Sequence, residues 1–433
     1  MHLRTSDLAA AVGGRLRGPD VTVDGASHDS RAIRRGQLFV PIVAERDGHE
    51  FIPAALAGGA AAYLTHGPTH GGTAIVVEDT QRALRAAGGL ARARLPSPVF
   101  GITGSVGKTS VKDLLASILS ERLVTAASAQ SFNNELGVPL TLLNAPDGTQ
   151  AVVVEMGARG IGHIADLCEI AHPTVGIVTR VAAVHTSEFG TIEDVARAKG
   201  ELVEALPARG IAILNAADPR VLAMATRAQG TVVTFGEGGD VRAEDVRLDD
   251  DLRPTFVLAS PWERAEVTLM VRGRHQVDNA LAAAAAGLAE GIGKDAVVRG
   301  LQRASLSRWR MDLRTAPSGA VVLNDAYNAN PTSVAAALES LAAVPARRRV
   351  AVLGVMAELG ERSEADHVAI GERARELEIE LIAVDAPSYG ARDVATIDEA
   401  LAALGPLGEG DAILVKGSRV AGLERLAEQL LAP

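Results

Sequence analysis

The sequence predicts an α/β protein of three domains: a small α/β N-terminal domain, a central domain built on a parallel sheet, and a Rossmann-like C-terminal domain. The chain has 433 residues, and at about 150 residues per domain this length suggests three domains. From residue 98 onward, short apolar runs alternate with helical patterns. That alternation is typical of parallel sheets covered by helices, which bind ligands at the carboxyl ends of their strands.

Two breaks divide the chain. The first is LPSPVF at 95–100, which contains two prolines, and the second is the charged stretch SLSRWRMDLRTAPSG at 305–319. They predict an N-terminal domain over 1–95, a central domain over 96–306 and a C-terminal domain over 307–433.

The elements follow in chain order. In the first part, short strands are expected near VTVDG and QLFVPI, and a helix near FIPAALAGGA. In the central part, four apolar runs predict buried parallel strands: PVFGIT, AVVVEM, TVGIVT and GIAILN. KTSVKDLLASILSERL has its apolar residues on one helical face, and the alanine-rich run at 280–286 predicts a packed helix. In the last part, strands are expected at RVAVLG, ELIAVDA and DAILVKG.

Composition excludes several classes of protein. Apolar residues make up 47% and charged residues 22% of the chain, as in ordinary globular proteins. The net charge of −10 argues against broad nucleic-acid binding. Cys168 is the single cysteine, so no intramolecular disulfide is possible, which fits a reducing compartment. No signal-peptide pattern and no apolar window of about 18 residues occurs. We therefore expect a cytoplasmic protein without membrane insertion.

A phosphate-binding loop is predicted at GITGSVGKTS, residues 101–110, between an apolar strand and an amphipathic helix. Its glycines let backbone N–H groups curl around phosphates, Lys108 reaches the β- and γ-phosphates, and the Thr109 hydroxyl ligates Mg²⁺. Ile102 stands where the generic pattern has a glycine. The alternative is a glycine-rich turn that caps a helix. The candidate loop residues are Gly104, Ser105, Val106, Gly107, Lys108, Thr109 and Ser110.

Glu155 ends the predicted strand AVVVE. A carboxylate at the tip of a neighbouring parallel strand suits Mg²⁺. The alternative is a solvated acid at a strand end.

Lys199 lies on the apolar stripe of the helix TIEDVARAKGELVEAL, together with Val195, Leu202 and Leu206. Burial lowers a lysine pKa by up to about 3–5 units. The side chain either extends to the helix end to reach water, or it is a neutral amine that adds CO₂ and becomes a carbamate, an anionic metal ligand. His185, beyond the strand TVGIVT, is a candidate ligand of the same ion.

Taken together, these motifs identify a resemblance that covers essentially the whole chain. The chain resembles the Mur ligase family, the ATP-dependent amide-forming enzymes of peptidoglycan assembly. The motifs that carry the resemblance are DSR at 29–31, GQLFV at 36–40, DGHEFI at 47–52, TGSVGKTS at 103–110, SFNNELGVP at 131–139, VVVEMGARGIGHI at 152–164, HTSEFGTIEDVARAKGE at 185–201, LNAAD at 214–218 and GRHQVDNALAAAA at 273–285.

Three motifs of the last part indicate a branch of that family: NDAYNANPTS at 324–333, VLGVMAELGERSEADH at 352–367 and LVKGSR at 414–419. This branch joins D-alanyl-D-alanine to UDP-N-acetylmuramoyl-tripeptide. The resemblance implies that ATP phosphorylates the tripeptide carboxylate and that the dipeptide amine attacks the acyl phosphate. It also implies two Mg²⁺ ions. We expect a monomer that binds small-molecule substrates and no nucleic acid.

The resemblance assigns roles to individual residues. Catalysis would fall to Lys108, Lys199 and His185. Metal ligands would be Thr109, Glu155, His185 and carbamylated Lys199. Besides the loop, nucleotide would be held by His275, Gln276, Asn279, Arg310 and Asp325. The substrates would be held by Ser30, Arg31, Asp47, Gly48, His49, Asn133, Asn134, Tyr327, Asn328, Lys416 and Ser418.

Four residues depart from the family pattern. Arg180 replaces an asparagine, Ala217 and Val355 each replace an aspartate, and Ala44 replaces a glycine. They put nucleotide and uridine contacts in question, but not the reaction class. Two alternatives stay open: a sibling ligase that adds the third amino acid, and a phosphate-loop ATPase that forms no bond. The sequence does not distinguish diaminopimelate from lysine as the third residue of the tripeptide.

Overall fold

The structure is a computed structural model that describes residues 1–95, 98–129, 132–182 and 189–432. It confirms the predicted α/β class. Five sheets are formed by described residues, and each sheet lies within one of the three predicted ranges. The domain boundaries themselves stay predictions.

The N-terminal part holds a five-stranded sheet and a two-stranded ribbon. Its elements are β1 (His2–Arg4), α1 (Thr5–Ala11), β2 (Arg15–Arg17), β3 (Thr22–Asp24), β4 (Ala26–Ser27), β5 (Leu38–Phe39), α2 (Ile52–Ala57), β6 (Ala62–Thr65), β7 (Ala74–Val76) and α3 (Thr80–Ala93). The sheet order is β2-β7-β6-β5-β4, and β1 pairs with β3. Because β4, β5, β6 and β7 are parallel, their carboxyl ends share one edge.

The central part is a six-stranded parallel sheet with helices on both faces. Its elements are β8 (Val99–Thr103), α4 (Lys108–Ser120), β9 (Thr125–Ala127), α5 (Gly137–Leu143), β10 (Ala151–Glu155), α6 (His163–Ala171), β11 (Val175–Val178), α7 (Ile192–Glu204), β12 (Ile211–Asn215), α8 (Pro219–Leu222) and β13 (Thr231–Phe235). The strand order is β13-β12-β11-β8-β10-β9.

Alternation along each strand explains why this sheet is buried on both sides. In β10, Val152 and Val154 belong to one core and Ala151 and Val153 to the other. Successive side chains of a strand point to opposite faces, so a strand covered on both faces reads as a continuous apolar run. The four apolar runs predicted as strands are strands here.

A small antiparallel sheet follows, which the sequence did not predict. Its strands are β14 (Arg242–Leu248), β15 (Pro254–Ala259) and β16 (Arg264–Thr268), and the helices α9 (Gln276–Ala289) and α10 (Lys294–Arg303) come after it. In β14 exposed and partly buried residues are mixed, as expected where one face meets solvent. Such a strand lacks the apolar run by which the others were found.

The C-terminal part is a six-stranded sheet of order β17-β18-β22-β19-β20-β21, in which only the edge strand β17 is antiparallel. Its elements are β17 (Asp312–Thr315), β18 (Val321–Asn324), α11 (Pro331–Ala343), β19 (Arg348–Gly354), α12 (Ser363–Glu376), β20 (Glu380–Val384), β21 (Arg392–Val394), α13 (Ile397–Leu404), β22 (Asp411–Lys416) and α14 (Glu424–Leu431).

Hydrogen bonds join the three parts. The Asn144 side chain exchanges two bonds with the backbone of Ala26, at 2.8 and 3.2 Å. The Asp113 carboxylate accepts from the backbone N–H and the hydroxyl of Ser307, at 2.8 and 2.9 Å. Among the helices that the structure describes, none is long and apolar enough to cross a membrane.

Candidate active site

A cavity of about 1090 Å³ opens between the central and C-terminal parts. Its walls come from the carboxyl ends of central strands and from the loops after β18 and β22, the place where parallel sheets bind ligands. The predicted site residues that line it are Ser105, Val106, Gly107, Lys108, Thr109, Ser110, Asn133, Glu155, His275, Gln276, Asn279, Arg310, Asp325, Tyr327, Asn328 and Lys416.

The phosphate loop has the backbone that anion binding requires. Gly104 and Gly107 have φ of 145° and 87°, values that side-chain-bearing residues rarely adopt. A Cβ on Gly107 would also lie 2.5 Å from Oδ1 of Asn279. Helix α4 begins directly after this turn at Lys108. The first N–H groups of the helix therefore face the cavity at its positive end.

A carboxylate joins the loop to the next strand. The Thr109 hydroxyl donates to Oε2 of Glu155 at 2.8 Å, and the Asn133 amide donates to Oε1 at 2.9 Å. From the C-terminal side, Arg310 donates to the Thr109 hydroxyl oxygen at 2.9 Å. Thr109 and Glu155 are 4% and 1% exposed. These oxygens are hard ligands of the kind that Mg²⁺ prefers, already held close together.

Asn133 and Asn134 differ in what they contact. Only the first reaches Glu155. The Asn134 side chain instead accepts the backbone N–H of Gly137, at 2.9 Å, where α5 begins. Asn134 does not line the cavity. The sequence could not separate these neighbours, because both belong to one motif.

Lys199 is buried, as its place on the apolar stripe of α7 predicts, with 2% of its surface exposed. Burial, together with the positive charge of Lys108, lowers its pKa to about 7, and the carboxylate of Glu201 opposes the shift. Its ammonium lies 5.8 Å from the ring centre of Phe189. His185, its expected partner in metal binding, lies outside the described residues. Lys199 does not line the cavity.

Lys108 folds back over its own loop, and its ammonium donates to the carbonyl of Gly104 at 2.7 Å. Desolvation lowers the Lys108 pKa; the carboxylate of Glu155 raises it and the guanidinium of Arg310 lowers it. Because the ammonium is held by a backbone carbonyl and forms no ion pair with a carboxylate of the described residues, it is available to anionic phosphate.

The start of α9 supplies a chain of polar side chains. The Asn279 amide donates to Oε1 of Gln276 at 2.9 Å, and the Gln276 amide lies 3.0 Å from Nε2 of His275. Nδ1 of His275 is buried and has no hydrogen-bond partner among the described residues. Desolvation lowers the pKa of this histidine. A neutral imidazole with an unpaired nitrogen suits the edge of a purine base.

The C-terminal wall is held by a buried ion pair. Lys416 donates to the Asp325 carboxylate at 2.5 Å and to the carbonyl of Asn328 at 2.8 Å. The other carboxylate oxygen of Asp325 accepts the Met311 N–H at 3.1 Å. The Arg310 guanidinium lies 4.2 Å from the ring centre of Tyr327. These contacts fix the position from which Arg310 reaches the phosphate loop.

Two motif residues of this wall have structural contacts. Ser418 lies outside the cavity lining; its hydroxyl accepts the Ala357 N–H at 2.9 Å and donates to the carbonyl of Ala329 at 3.3 Å. Asn330 begins α11 through a capping box with Ser333. The motif NDAYNANPTS is therefore a helix start as well as a cavity wall.

The predicted uridine residues lie apart from the cavity. Among the described residues that line it, none comes from the N-terminal part. Arg31 pairs with Asp29 at 2.8 Å, and His49 pairs with Asp47 at 2.6 Å. Ser30 and Gly48 lie in the same two loops. The structure thus brings the candidate nucleotide residues together and leaves the candidate uridine residues in a separate group.

Sequence reasoning missed residues that support the phosphate loop. The Thr179 hydroxyl donates to the carbonyl of Val106 at 2.6 Å, and Asn215 donates to the carbonyl of Thr179 at 2.8 Å. Thr179 directly follows β11 and Asn215 ends β12, and a polar residue at the end of a buried apolar strand is a signal that could have found them. Arg180 also lines the cavity, 3.9 Å from the carboxylate of Asp278.

The other departures have small structural effects. Ala217 donates its backbone N–H to Asn215 at 2.9 Å, and the carbonyl of Val355 accepts the Ser418 N–H at 3.0 Å. Ala44 lies in an exposed turn. Backbone contacts of this kind do not depend on the side chain.

The cavity fits a nucleoside triphosphate with Mg²⁺. The phosphate loop has a backbone conformation and close contacts that only glycine allows at 104 and 107. Thr109 and Glu155 offer hard oxygen ligands. Two buried nitrogens in the cavity wall, Nδ1 of His275 and Nε of Arg310, have no hydrogen-bond partner among the described residues. Such orphaned groups are costly unless a ligand satisfies them.

Comparison with known proteins supports this assignment. Residues 102–287 match the family described as Mur ligase middle domain, and residues 309–419 match the Mur ligase, glutamate ligase domain. The chain is 39% identical to the UDP-N-acetylmuramoyl-tripeptide–D-alanyl-D-alanine ligase of Mycobacterium bovis, over 100% of this chain and 98% of that protein.

Solved structures agree. The crystal structure of MurF from Acinetobacter baumannii superposes with a TM-score of 0.89 at 31% identity, covering 100% of this chain and 99% of that one. MurF ligase from Thermotoga maritima in complex with ADP gives a TM-score of 0.83 at 28% identity, covering 94% of this chain and 97% of that one.

Proposed function

This chain belongs to the Mur ligase family, and from that premise we propose that it joins D-alanyl-D-alanine to UDP-N-acetylmuramoyl-tripeptide with cleavage of ATP to ADP and phosphate. The relatives that are similar over the full chain carry this activity in their names. The observation that carries the proposal is the cavity shared by two parts of the chain, in which Arg310 reaches Thr109 of the phosphate loop.

The reaction has two steps. A carboxylate oxygen of the tripeptide attacks the γ-phosphorus of ATP, the bond to the β-phosphate oxygen breaks, and ADP leaves. The dipeptide amine then attacks the acyl carbon, phosphate leaves, and the nitrogen loses a proton. The first step is needed because a carboxylate is a poor electrophile without a leaving group.

The residues of this chain bind and orient. The N–H groups at the start of α4 and the Lys108 ammonium hold the phosphates. Arg310 brings a second cation to the same end of the nucleotide. Thr109 and Glu155 would hold Mg²⁺. When bound, Mg²⁺ neutralises charge between the triphosphate and the carboxylate, two anions that otherwise repel each other.

We propose a second ion beside Lys199 and His185. A lysine whose pKa is lowered to about 7 is substantially neutral at cytoplasmic pH, and a neutral amine can add CO₂. Addition of CO₂ to the neutral amine forms an N–C bond and releases one proton, which gives an anionic carbamate. This change removes the cost of a buried ammonium and supplies a metal ligand. The positive charge of Lys108 nearby favours the conversion of Lys199 from a cation to an anion.

Substrate recognition is divided between the ends of the molecule. We propose that Ser30, Arg31 and the turn from Asp47 to His49 hold the uridine diphosphate. Tyr327, Asn328 and Lys416 form the wall beside the incoming dipeptide, and Ser418 positions that wall through its bond to Ala357. A cytoplasmic monomer is the state that we propose for this enzyme.

The test is phosphate release by the purified chain with ATP, Mg²⁺ and UDP-muramoyl tripeptide, with and without D-alanyl-D-alanine. Turnover is expected to be low with ATP alone and to rise sharply only with both substrates. Brisk turnover without the tripeptide would instead support a non-ligase ATPase. Turnover with a UDP-muramoyl dipeptide and a diamino acid would support the sibling ligase.

A further inference from the structure

A cluster of three metal-binding side chains lies on the N-terminal part, far in sequence from the phosphate loop. Asp47, His49 and His66 each offer one ligand atom, and these atoms all lie within 4.8 Å of one another. Among the described residues, this is the one group of three or more histidine, cysteine or acidic side chains with such spacing. His66 belongs to none of the motifs that carry the family resemblance.

The topology explains why these residues meet. Asp47 and His49 follow β5, and His66 comes directly after β6. Because the two strands are parallel neighbours, both segments leave the sheet at its carboxyl edge. The DSR stretch at 29–31 follows β4 and reaches the same edge. In parallel sheets this edge is where ligands bind.

The turn that carries Asp47 is rigidly held. Gly48 donates its N–H to the carbonyl of Ile42 at 2.9 Å. A Cβ on Gly48 would lie 2.6 Å from both the nitrogen and the oxygen of Ile42, so only glycine allows this approach. The Asp47 carboxylate also accepts the His49 N–H at 3.0 Å. Backbone contacts therefore position two of the three groups before any ligand arrives.

The side chains are arranged around an open face. Oδ1 of Asp47 lies 2.6 Å from Nδ1 of His49, and the rings of His49 and His66 are 4.0 Å apart between centres. The His66 N–H donates to Nε2 of His49 at 3.4 Å, which places the proton of His49 on Nδ1, toward Asp47. The carboxylate of Asp47 and the ring of His66 are exposed to solvent.

We propose that Asp47, His49 and His66 bind a divalent transition metal of the Zn²⁺ class, with its remaining positions open to phosphate oxygens. Two imidazoles and one carboxylate favour Zn²⁺ over Mg²⁺, which prefers oxygen ligands and keeps its water. Tetrahedral bonds of about 2.0 Å place ligand atoms about 3.3 Å apart, so only small side-chain rotations are needed. The ion takes the position of the proton between Asp47 and His49, and the neutral imidazole of His49 then carries its one proton on Nε2.

The open face gives the ion a role with the substrate, and this part rests on the proposed function. Asp47 and His49 are proposed to hold the uridine diphosphate. A cation with free coordination positions beside them would bind the diphosphate oxygens directly. By linkage, UDP then tightens metal binding by the same factor by which the metal tightens UDP binding.

The experiment measures Zn²⁺ binding to the full, metal-stripped chain by titration calorimetry, with neither ATP nor Mg²⁺ present. The variant is His66→Ala, whose side chain is exposed, and the matched control is His70→Ala, an exposed histidine of the same loop outside the cluster. One site per chain is expected, weakened at least tenfold in His66→Ala and unchanged in His70→Ala.

Equal Zn²⁺ affinity in wild type and His66→Ala would overturn the site. An equal loss of Zn²⁺ affinity in His66→Ala and His70→Ala would overturn it as well. Repeating the wild-type titration with saturating UDP tests the second part, for which a severalfold gain in Zn²⁺ affinity is expected. An unchanged affinity would overturn the role with the substrate while leaving the metal site in place. Neither measurement depends on ligase turnover, so failure of the proposed function is distinguishable from failure of the site.

Discussion

The cavity between the central and C-terminal parts and the carboxyl edge of the N-terminal sheet both collect polar side chains where parallel strands end, but they hold them differently. In the cavity, Thr109 and Glu155 are almost fully buried, and their partners come from distant parts of the chain. At the N-terminal edge, Arg31 and His49 pair with acids only two residues away.

This difference indicates how each region works. A buried network that is satisfied from several elements keeps its geometry without a ligand, and preorganised groups of this kind act on reaction rate. Exposed pairs between near neighbours exchange readily with water and contribute little until a substrate desolvates them. We therefore expect substitutions in the cavity to lower kcat and substitutions at the N-terminal edge to raise KM.

The largest effect is expected for Lys199, which is buried on α7 near Lys108 but lies outside the cavity lining. Lys199→Ala should lower kcat by about 10³-fold, in the upper range for loss of an electrostatic group, while the chain still folds because alanine suits a buried helix. Acetate or formate should restore part of the rate by occupying the vacated ligand position. Lys199→Arg should stay inactive, since a guanidinium cannot add CO₂.

The control for Lys199 is Lys294→Ala, at an exposed lysine that pairs with Glu263 at 3.6 Å. It should leave kcat unchanged. Near-normal turnover of Lys199→Arg would show that the lysine acts only as a positive charge near the phosphates, and the carbamate would be wrong.

The next largest effect is expected for Arg310, which joins the C-terminal part to Thr109 of the central part. Arg310→Lys should lower kcat by about 10²-fold, because an ammonium cannot both stack on Tyr327 and donate to Thr109 as the planar guanidinium does. Steady-state kinetics measure this, with Arg308→Lys, an exposed arginine outside the cavity lining, as the matched control. Equal rates for the two variants would remove Arg310 from the site.

At the N-terminal edge, a substitution should have a smaller effect, and it should raise KM rather than lower kcat. Arg31 has 88% of its side chain exposed beside Asp29. Arg31→Ala should raise the KM for UDP-tripeptide about tenfold through loss of a charge-assisted bond, with kcat and the KM for ATP unchanged. Arg82→Ala, an exposed arginine of α3 paired with Glu78, should change neither constant. A fall in kcat for Arg31→Ala would break the contrast between the two regions.

The same contrast explains how much the sequence could predict. Lys108, Thr109 and Glu155 were found because a short motif or a strand end places each residue, and the apolar stripe of α7 predicted the burial of Lys199. The contact of Arg310 with Thr109 joins residues in different domains, so no local pattern specifies it. His66 was missed because a single histidine after a strand has no signature of its own. β14 and β16 were missed because their residues are mixed in polarity, whereas β15 was missed although it carries the apolar run FVLA at 256–259.

The smallest effect is expected for Asn134, which should differ from its neighbour Asn133 in the same motif. Asn133 donates to Glu155, whereas Asn134 accepts from the start of α5. Asn134→Ala should therefore lower the free energy of unfolding by about 1 kcal/mol, the usual net value of one hydrogen bond, and leave kcat unchanged. Asn133→Ala is the matched comparison, and it should lower kcat because Glu155 loses a partner at the proposed metal site. Denaturant unfolding and initial rates on the same preparations measure both quantities. If Asn134→Ala lowered kcat as much as Asn133→Ala, the helix start would be coupled to Glu155, and the division between a binding side chain and a structural one would fail at this motif.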